Sequence, residues 1–102
     1  MENFVIATNA DLRVEAFYID AEGTVMHTWQ LQPGNKQVWS APNALFGTAP
    51  GSNGPLQNAV RVDAATDRQG QIQVVAYTRE GQYFICFQEG TVWRGWLPIE
   101  QQ

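Results

Sequence analysis

Short runs of alternating apolar and polar residues, broken by turns rich in Gly, Pro, Asn and Asp, fill this chain, and they do so twice. Val14-Glu15-Ala16-Phe17-Tyr18-Ile19 leads through Glu22-Gly23 into a run ending at Trp29-Gln30, then Val38-Trp39. Ile72-Gln73-Val74-Val75-Ala76-Tyr77 leads through Glu80-Gly81 into a run ending at Phe87-Gln88, then Val92-Trp93. Gly23 and Gly81 lie 58 positions apart, and at the same offset Ala7-Thr8-Asn9 falls on Ala65-Thr66-Asp67. Trp39 and Trp93 are 54 apart, so the second copy closes through a shorter loop. Alternation with period two, bounded by turn residues, marks β-strands.

The pattern predicts four strands per repeat: Phe4–Thr8, Arg13–Ile19, Thr24–Leu31 and Gln37–Ala41, then Ala59–Ala64, Gln71–Thr78, Gln82–Gln88 and Thr91–Leu97. Residues 1–47 are the first repeat, 48–57 a linker of Pro, Gly, Ser and Asn character, and 58–102 the second repeat. The stretch from Leu56 to Gln69 holds enough Ala and Val to pass for a helix, but Val60-Arg61-Val62-Asp63-Ala64 alternates and favours a strand.

Both faces of the inner strands are apolar. Val14, Ala16 and Tyr18 oppose Phe17 and Ile19; Ile72, Val74 and Ala76 oppose Val75 and Tyr77; Tyr83, Ile85 and Phe87 oppose Phe84 and Cys86. Sheets of this kind need cover on both sides. Repeated units of several short strands point to propeller blades, each sandwiched between two neighbours. Two blades do not close a ring, which takes about four to eight. Burying a Val, Phe or Ile is worth about 1.5–3 kcal/mol each, so the outer faces drive association. The expected fold is all-β: two four-stranded antiparallel blades per chain, with a six- or eight-bladed ring closed by head-to-tail oligomerisation, a trimer favoured over a tetramer. The alternative is a compact monomer with the two sheets packed as a sandwich.

Composition narrows the function classes. The chain of 102 residues is 44% hydrophobic and 16% charged, which argues against disorder. A net charge of −4 with only six Lys and Arg excludes a phosphate-tracking surface, so no nucleic-acid partner is expected. No apolar run is long enough for a membrane helix, so no membrane insertion is expected either. The opening Met1-Glu2-Asn3-Phe4 lacks a basic leader, which predicts cytoplasmic synthesis without a signal peptide and leaves leaderless export open. Cys86, the only cysteine, lies in a strand and reads as an inert buried thiol.

Candidate catalytic chemistry is thin. His27 is the sole histidine and reads as a hydrogen-bonded histidine between blades. There is no nucleophile elbow, no cysteine–histidine cluster for a metal, and no calcium-loop pattern, so neither enzyme activity, cofactor nor metal is expected.

The set Leu12-Arg13-Val14-Glu15-Ala16-Phe17, Glu22-Gly23, His27-Thr28-Trp29-Gln30 and Trp39-Ser40, with its second copy ending in Val92-Trp93-Arg94-Gly95-Trp96, resembles the tryptophan-rich repeat of bacterial β-propeller lectins. The resemblance covers nearly the whole chain. Met26 and Phe84 stand where those blades commonly carry a Trp, and Pro42 replaces the second closing Trp of the first repeat. The resemblance implies multivalent, non-catalytic binding of glycans, often of the fucose type, in clefts between blades. An aromatic plate plus fixed polar groups suits a sugar's C–H face and hydroxyl rim. Candidate plates are Trp39, Trp93 and Trp96; candidate polar partners are Arg94, Arg79 and Glu80, with Asp20 and Glu22 at the matching turn. Trp29 and Phe87 read as core. The rival reading is a structural or protein-interaction propeller without a sugar site, including an engineered or excised two-blade fragment.

Overall fold

Each hairpin is set by its turn. Asp20 Oδ1 accepts from the backbone N–H groups of Glu22 and Thr24, at 2.9 and 3.0 Å, while Gly23 takes φ +83°. In the second repeat Thr78 Oγ1 accepts from Gln82 N–H at 3.2 Å and Gly81 takes φ +86°. A left-handed φ is cheap for glycine alone. In the computed structural model, which describes residues 3–101, these turns join eight strands. Met1, Glu2 and Gln102, part of the expected start and of the two repeat ranges, lie outside the described residues.

The first sheet orders β1 (Val5–Thr8), β2 (Val14–Ile19), β3 (Val25–Trp29) and β4 (Asn43–Ala44). The second orders β5 (Ala59–Thr66), β6 (Ile72–Thr78), β7 (Tyr83–Glu89) and β8 (Val92–Pro98). Both are antiparallel meanders, so the chain is all-β with two four-stranded sheets, and the Leu56–Gln69 stretch contains strand, not helix. One strand departs from expectation. The predicted Gln37–Ala41 strand reduces to a single bridge between Gln30 and Trp39, and the fourth strand is Asn43–Ala44. Ser40 keeps one backbone bond, its N–H donating to Trp29 O at 2.8 Å, but its side-chain Oγ accepts from Trp29 N–H at 3.1 Å. Pro42 then follows with no N–H to offer the ladder.

The repeat extends to individual hydrogen bonds. Val14 N–H donates to Gln30 Oε1 at 2.8 Å, and Ile72 N–H donates to Gln88 Oε1 at 2.7 Å. Both glutamines cap the strand edge in the same way, 58 residues apart. Another pair is inverted: Asn9 Nδ2 donates to Glu15 Oε1 at 3.1 Å, whereas Gln73 Nε2 donates to Asp67 Oδ2 at 3.3 Å. Amide and carboxylate have exchanged places while the contact has stayed.

Strand register defines the faces. Val5, Glu15, Phe17, Ile19, Val25, His27 and Trp29 share the front of the first sheet. Ile6, Ala16, Tyr18, Met26 and Thr28 share its rear. At the 58-residue offset, the front of the second sheet carries Gln73, Val75, Tyr77, Tyr83, Ile85 and Phe87, and its rear carries Ala64, Val74, Ala76, Phe84 and Cys86. The core lies where the first sheet's front meets the second sheet's rear: Phe17, Val25 and Leu45 pack with Ile72, Val74, Cys86 and Trp96. The inner strands β1 and β5 adjoin, with Thr66 Oγ1 donating to Thr8 O at 2.7 Å and accepting from Thr8 N–H at 3.2 Å.

A bulge in β8 brings Trp96 into this core. Phe87 pairs with Arg94 but Ile85 pairs with Leu97, so one extra residue enters β8 opposite Cys86. Plain alternation would put Trp93 and Trp96 on opposite faces; the bulge turns both toward the first sheet. Gly95 makes room for it, since a Cβ there would stand 2.7 Å from Cys86 Cα.

The linker is not a free tether. Thr48 and Ala49 N–H groups donate to Trp93 O at 2.8 and 2.9 Å, and Thr48 Oγ1 accepts from Trp93 N–H at 2.9 Å. Asn53 donates from its backbone N–H to Gly95 O at 3.0 Å and from Nδ2 to Trp96 O at 2.9 Å. The segment is strapped along the outer edge of β8.

Candidate functional site

Where the two sheets part, beyond the ends of β2 and β3, they leave a cleft of about 520 Å³. The first sheet supplies Asn9, Asp11, Arg13, Glu15, His27 and Trp29; the second supplies Gln69, Gln71, Gln88, Thr91 and Trp93. The size is that of a small-molecule site.

At its base stands a buried carboxylate. Glu15 is 4% exposed, and its two oxygens are both engaged: Oε1 by Asn9 Nδ2 at 3.1 Å, Oε2 by His27 Nδ1 at 2.6 Å. Burial of a carboxylate is tolerated when its lone pairs are met in this way. Antiparallel pairing explains the meeting, because Glu15 sits opposite Trp29 on β3 and diagonal to His27 on the same face. With Nδ1 committed to Glu15, Nε2 is the histidine nitrogen left for a ligand. The imidazole is wedged among aromatics: 5.0 Å from the Trp29 ring, 5.9 Å and edge-on to Trp93, and stacked 6.2 Å from Phe17. Trp93 also meets Phe17 edge-on at 6.2 Å.

The second sheet closes the cleft with an amide. Gln88, already held through its Oε1, donates from Nε2 to Asn9 Oδ1 at 2.8 Å. Gly70, at φ +80°, comes close to Ala10 at the mouth, where a Cβ would lie 3.0 Å from the alanine Cβ. Arg13 is tied to Asp11 at 2.7 Å. The backbone N–H of Arg13 beside the Asp11 carboxyl holds it below the usual carboxylate range, with the guanidinium adding to the effect.

The structure distributes the six predicted site residues unevenly. Trp93 alone lines the cleft. Trp96 is 2% exposed and donates from Nε1 to Leu45 O at 3.0 Å, which makes it part of the core rather than an open plate. Trp39 lies on the loop before β4, half-buried, its Nε1 donating to Lys36 O at 2.9 Å. Arg94 is paired with Glu89 at 2.6 Å on the other face of the second sheet. Arg79 and Glu80 stand exposed at the end of β6 remote from Gln71, where Glu80 accepts from Asn58 Nδ2 at 3.3 Å. Asp20 and Glu22 occupy the matching turn of the first sheet, away from the cleft.

Trp29 was expected in the core and instead forms a wall of the cleft. Phe87, its equivalent, is half-buried on the second sheet's front, away from the core. Asn9, Glu15 and Gln88 were missed as a set. Their signal was polarity on an apolar face, Glu15 being the one charge among Val14, Ala16, Phe17 and Ile19. Among the described residues no group of three or more His, Cys, Asp and Glu is placed to hold a metal ion. No protein-family model and no curated protein matches the chain.

Proposed function

We propose that this protein is a non-catalytic lectin that holds a monosaccharide unit, of the fucose type or similar, in the cleft between its two sheets, and that copies of it close into a propeller ring, three chains giving six blades. The observation that carries the reading is the cleft's composition. Two indoles, Trp29 and Trp93, stand beside fixed polar groups on Asn9, Arg13, His27 and Gln88. An indole covers the C–H face of a sugar, and amide, imidazole and guanidinium groups match its hydroxyl rim. These groups are held by bonds within the protein, so little side-chain entropy is lost on binding. A shallow single-sugar site gains from repetition on one rigid body, since simultaneous engagement raises avidity by about 10²–10⁴.

A glycan array followed by calorimetry on the best sugar tests this. Binding that is lost on Trp93→Ala and kept on Trp39→Ala supports the cleft. Binding that survives Trp93→Ala and disappears on Trp39→Ala places the sugar elsewhere. A second reading is a structural or protein-interaction propeller. It is favoured by the burial of Trp96 and by the distance of Arg79 and Glu80 from the cleft. Silence across the whole array, from a correctly folded protein, selects it.

A further inference from the structure

The strap along β8 contains a residue pair with chemistry of its own. Of the six asparagines in the chain, Asn53 alone is followed by glycine. An asparagine Cγ lies within reach of the next residue's backbone nitrogen, and attack by that nitrogen closes a five-membered ring. A β-carbon on the following residue hinders the approach, and glycine has none. Three observations leave this pair open to the reaction. Both residues are exposed. A Cβ at Gly54 would meet nothing within 4 Å, so no neighbour crowds the nitrogen's path. The Gly54 N–H donates to no acceptor among the described residues. Asn58 differs on this last point, since the N–H that follows it, on Ala59, is tied to Gly23 O at 2.9 Å. Asn9 is 7% exposed, its Nδ2 committed to Arg13 O and Glu15.

What restrains Asn53 is the strap itself. Its backbone N–H donates to Gly95 O at 3.0 Å, its Nδ2 donates to Trp96 O at 2.9 Å, and its carbonyl accepts from Gly47 N–H at 3.3 Å. While these bonds stand, the side chain is turned toward β8. The neighbouring Ser52 Oγ is the one buried side-chain nitrogen or oxygen without a partner among the described residues. Segments with exposed backbone bonds and unmet polar groups open locally at low cost.

We propose that Asn53 is a self-modification site: opening of the strap lets Gly54 N attack Asn53 Cγ, and the product keeps the strap from closing as before. The Gly54 nitrogen gives its proton to hydroxide and bonds to Cγ. The Cγ–Nδ2 bond breaks, and ammonia leaves with a proton taken from water. Water then opens the succinimide. Addition at Cγ leaves an aspartate; addition at the main-chain carbonyl leaves an isoaspartate, whose main chain runs through one extra methylene. No oxidant or reductant takes part. Either product undoes the latch, because a carboxylate oxygen now faces the Trp96 carbonyl, two acceptors with no proton between them. The outer edge of β8 is then uncovered, and a bare edge recruits further strands. The site depends on neither sugar binding nor ring closure.

Peptide mapping by mass spectrometry, after warm incubation of the intact protein at neutral and mildly alkaline pH, tests this. Asn53 is expected to convert ahead of the other five asparagines, faster at the higher pH. Gly54→Ala is expected to stop the conversion over the same period and leave the thermal melt unchanged. Thr48→Val removes the Oγ1 that accepts from Trp93 N–H. It is expected to speed conversion about 2–10-fold, the effect of one hydrogen bond on an opening equilibrium. If circular dichroism shows that variant unfolded, urea below the unfolding midpoint opens the strap instead and is expected to act in the same direction. Asn53→Asp, which carries the product side chain from the start, is expected to lower the urea midpoint and to speed hydrogen exchange at the Thr48 and Ala49 N–H groups. Asn53 that stays intact in the native protein, through an incubation that converts it in the urea-unfolded chain, overturns the proposal. So does a conversion rate unmoved by strap opening, or an Asn53→Asp variant that melts and exchanges like the unaltered protein.

Discussion

The side-chain amide of Gln88 bridges two sheets: its oxygen receives Ile72 N–H at 2.7 Å within its own sheet, and its nitrogen donates to Asn9 Oδ1 at 2.8 Å in the other. One residue thus ends a strand and sets the distance between sheets. Gln88→Ala is expected to destabilise by about 1–3 kcal/mol, the cost of leaving part-buried groups unpaired. Gln88→Glu keeps the acceptor for Ile72 N–H but turns a carboxylate toward Asn9 Oδ1, and Asn9 cannot rotate its amide without losing the Nδ2 bonds to Arg13 O and Glu15. Urea melts are expected to rank the glutamate variant no higher than the alanine variant.

His27→Ala is expected to be among the most damaging single changes. It leaves Glu15, 4% exposed, with Asn9 as its one remaining side-chain partner. Leaving a buried acceptor without its hydrogen-bond partner costs about 1–3 kcal/mol, and more when the acceptor is charged. Adding Glu15→Gln to the His27→Ala background removes the stranded charge and is expected to recover part of the loss. If the double variant melts no later than the single one, the pair is not what holds this corner of the structure.

Gly95→Ala places a methyl 2.7 Å from Cys86 Cα and imposes φ +145° on a residue with a side chain. Gly54→Ala meets nothing within 4 Å. The first is expected to cost more than about 1–3 kcal/mol through overpacking and backbone strain, the second to stay within about 0.5 kcal/mol. Thermal melts of the two variants side by side check the bulge.

Burial raises the Cys86 thiol from its ordinary 9.0 to about 12. The native protein is therefore expected to resist a thiol reagent at neutral pH and to react only on unfolding. The same shift fixes a sign: the unfolded chain ionises first, so stability is lost as pH rises from about 9 toward 12. At the acid end the carboxyls of Asp11 and Asp67 lie below their ordinary 3.8, held by the backbone N–H groups of Arg13 and Gln71. Their contribution is present above 3.8 and is lost as pH falls below it. Unfolding midpoints across pH are expected to decline at both ends, and the alkaline decline is expected to ease in Cys86→Ala.

Turn chemistry and the doubling were legible because both are local: Asp20, Gly23, Thr78 and Gly81 act on their own neighbours. The fourth strand was not, because Trp39 and Ser40 look like strand residues while side-chain bonds and Pro42 shorten the pairing. Trp96 was misplaced because parity along a strand fails at a bulge, and a bulge is a matter of register with the partner. Trp29 shows the remaining gap. Alternation tells which face a side chain takes, but not whether that face is at the middle of a joint or at its opening.

The strap from Thr48 to Asn53 occupies donors and acceptors that β8 would otherwise offer to any passing strand. An unguarded border of that kind is a template for open-ended fibril growth. With it roofed over by its own polypeptide, the second sheet has no outer hem to extend, and new molecules are left to approach it broadside.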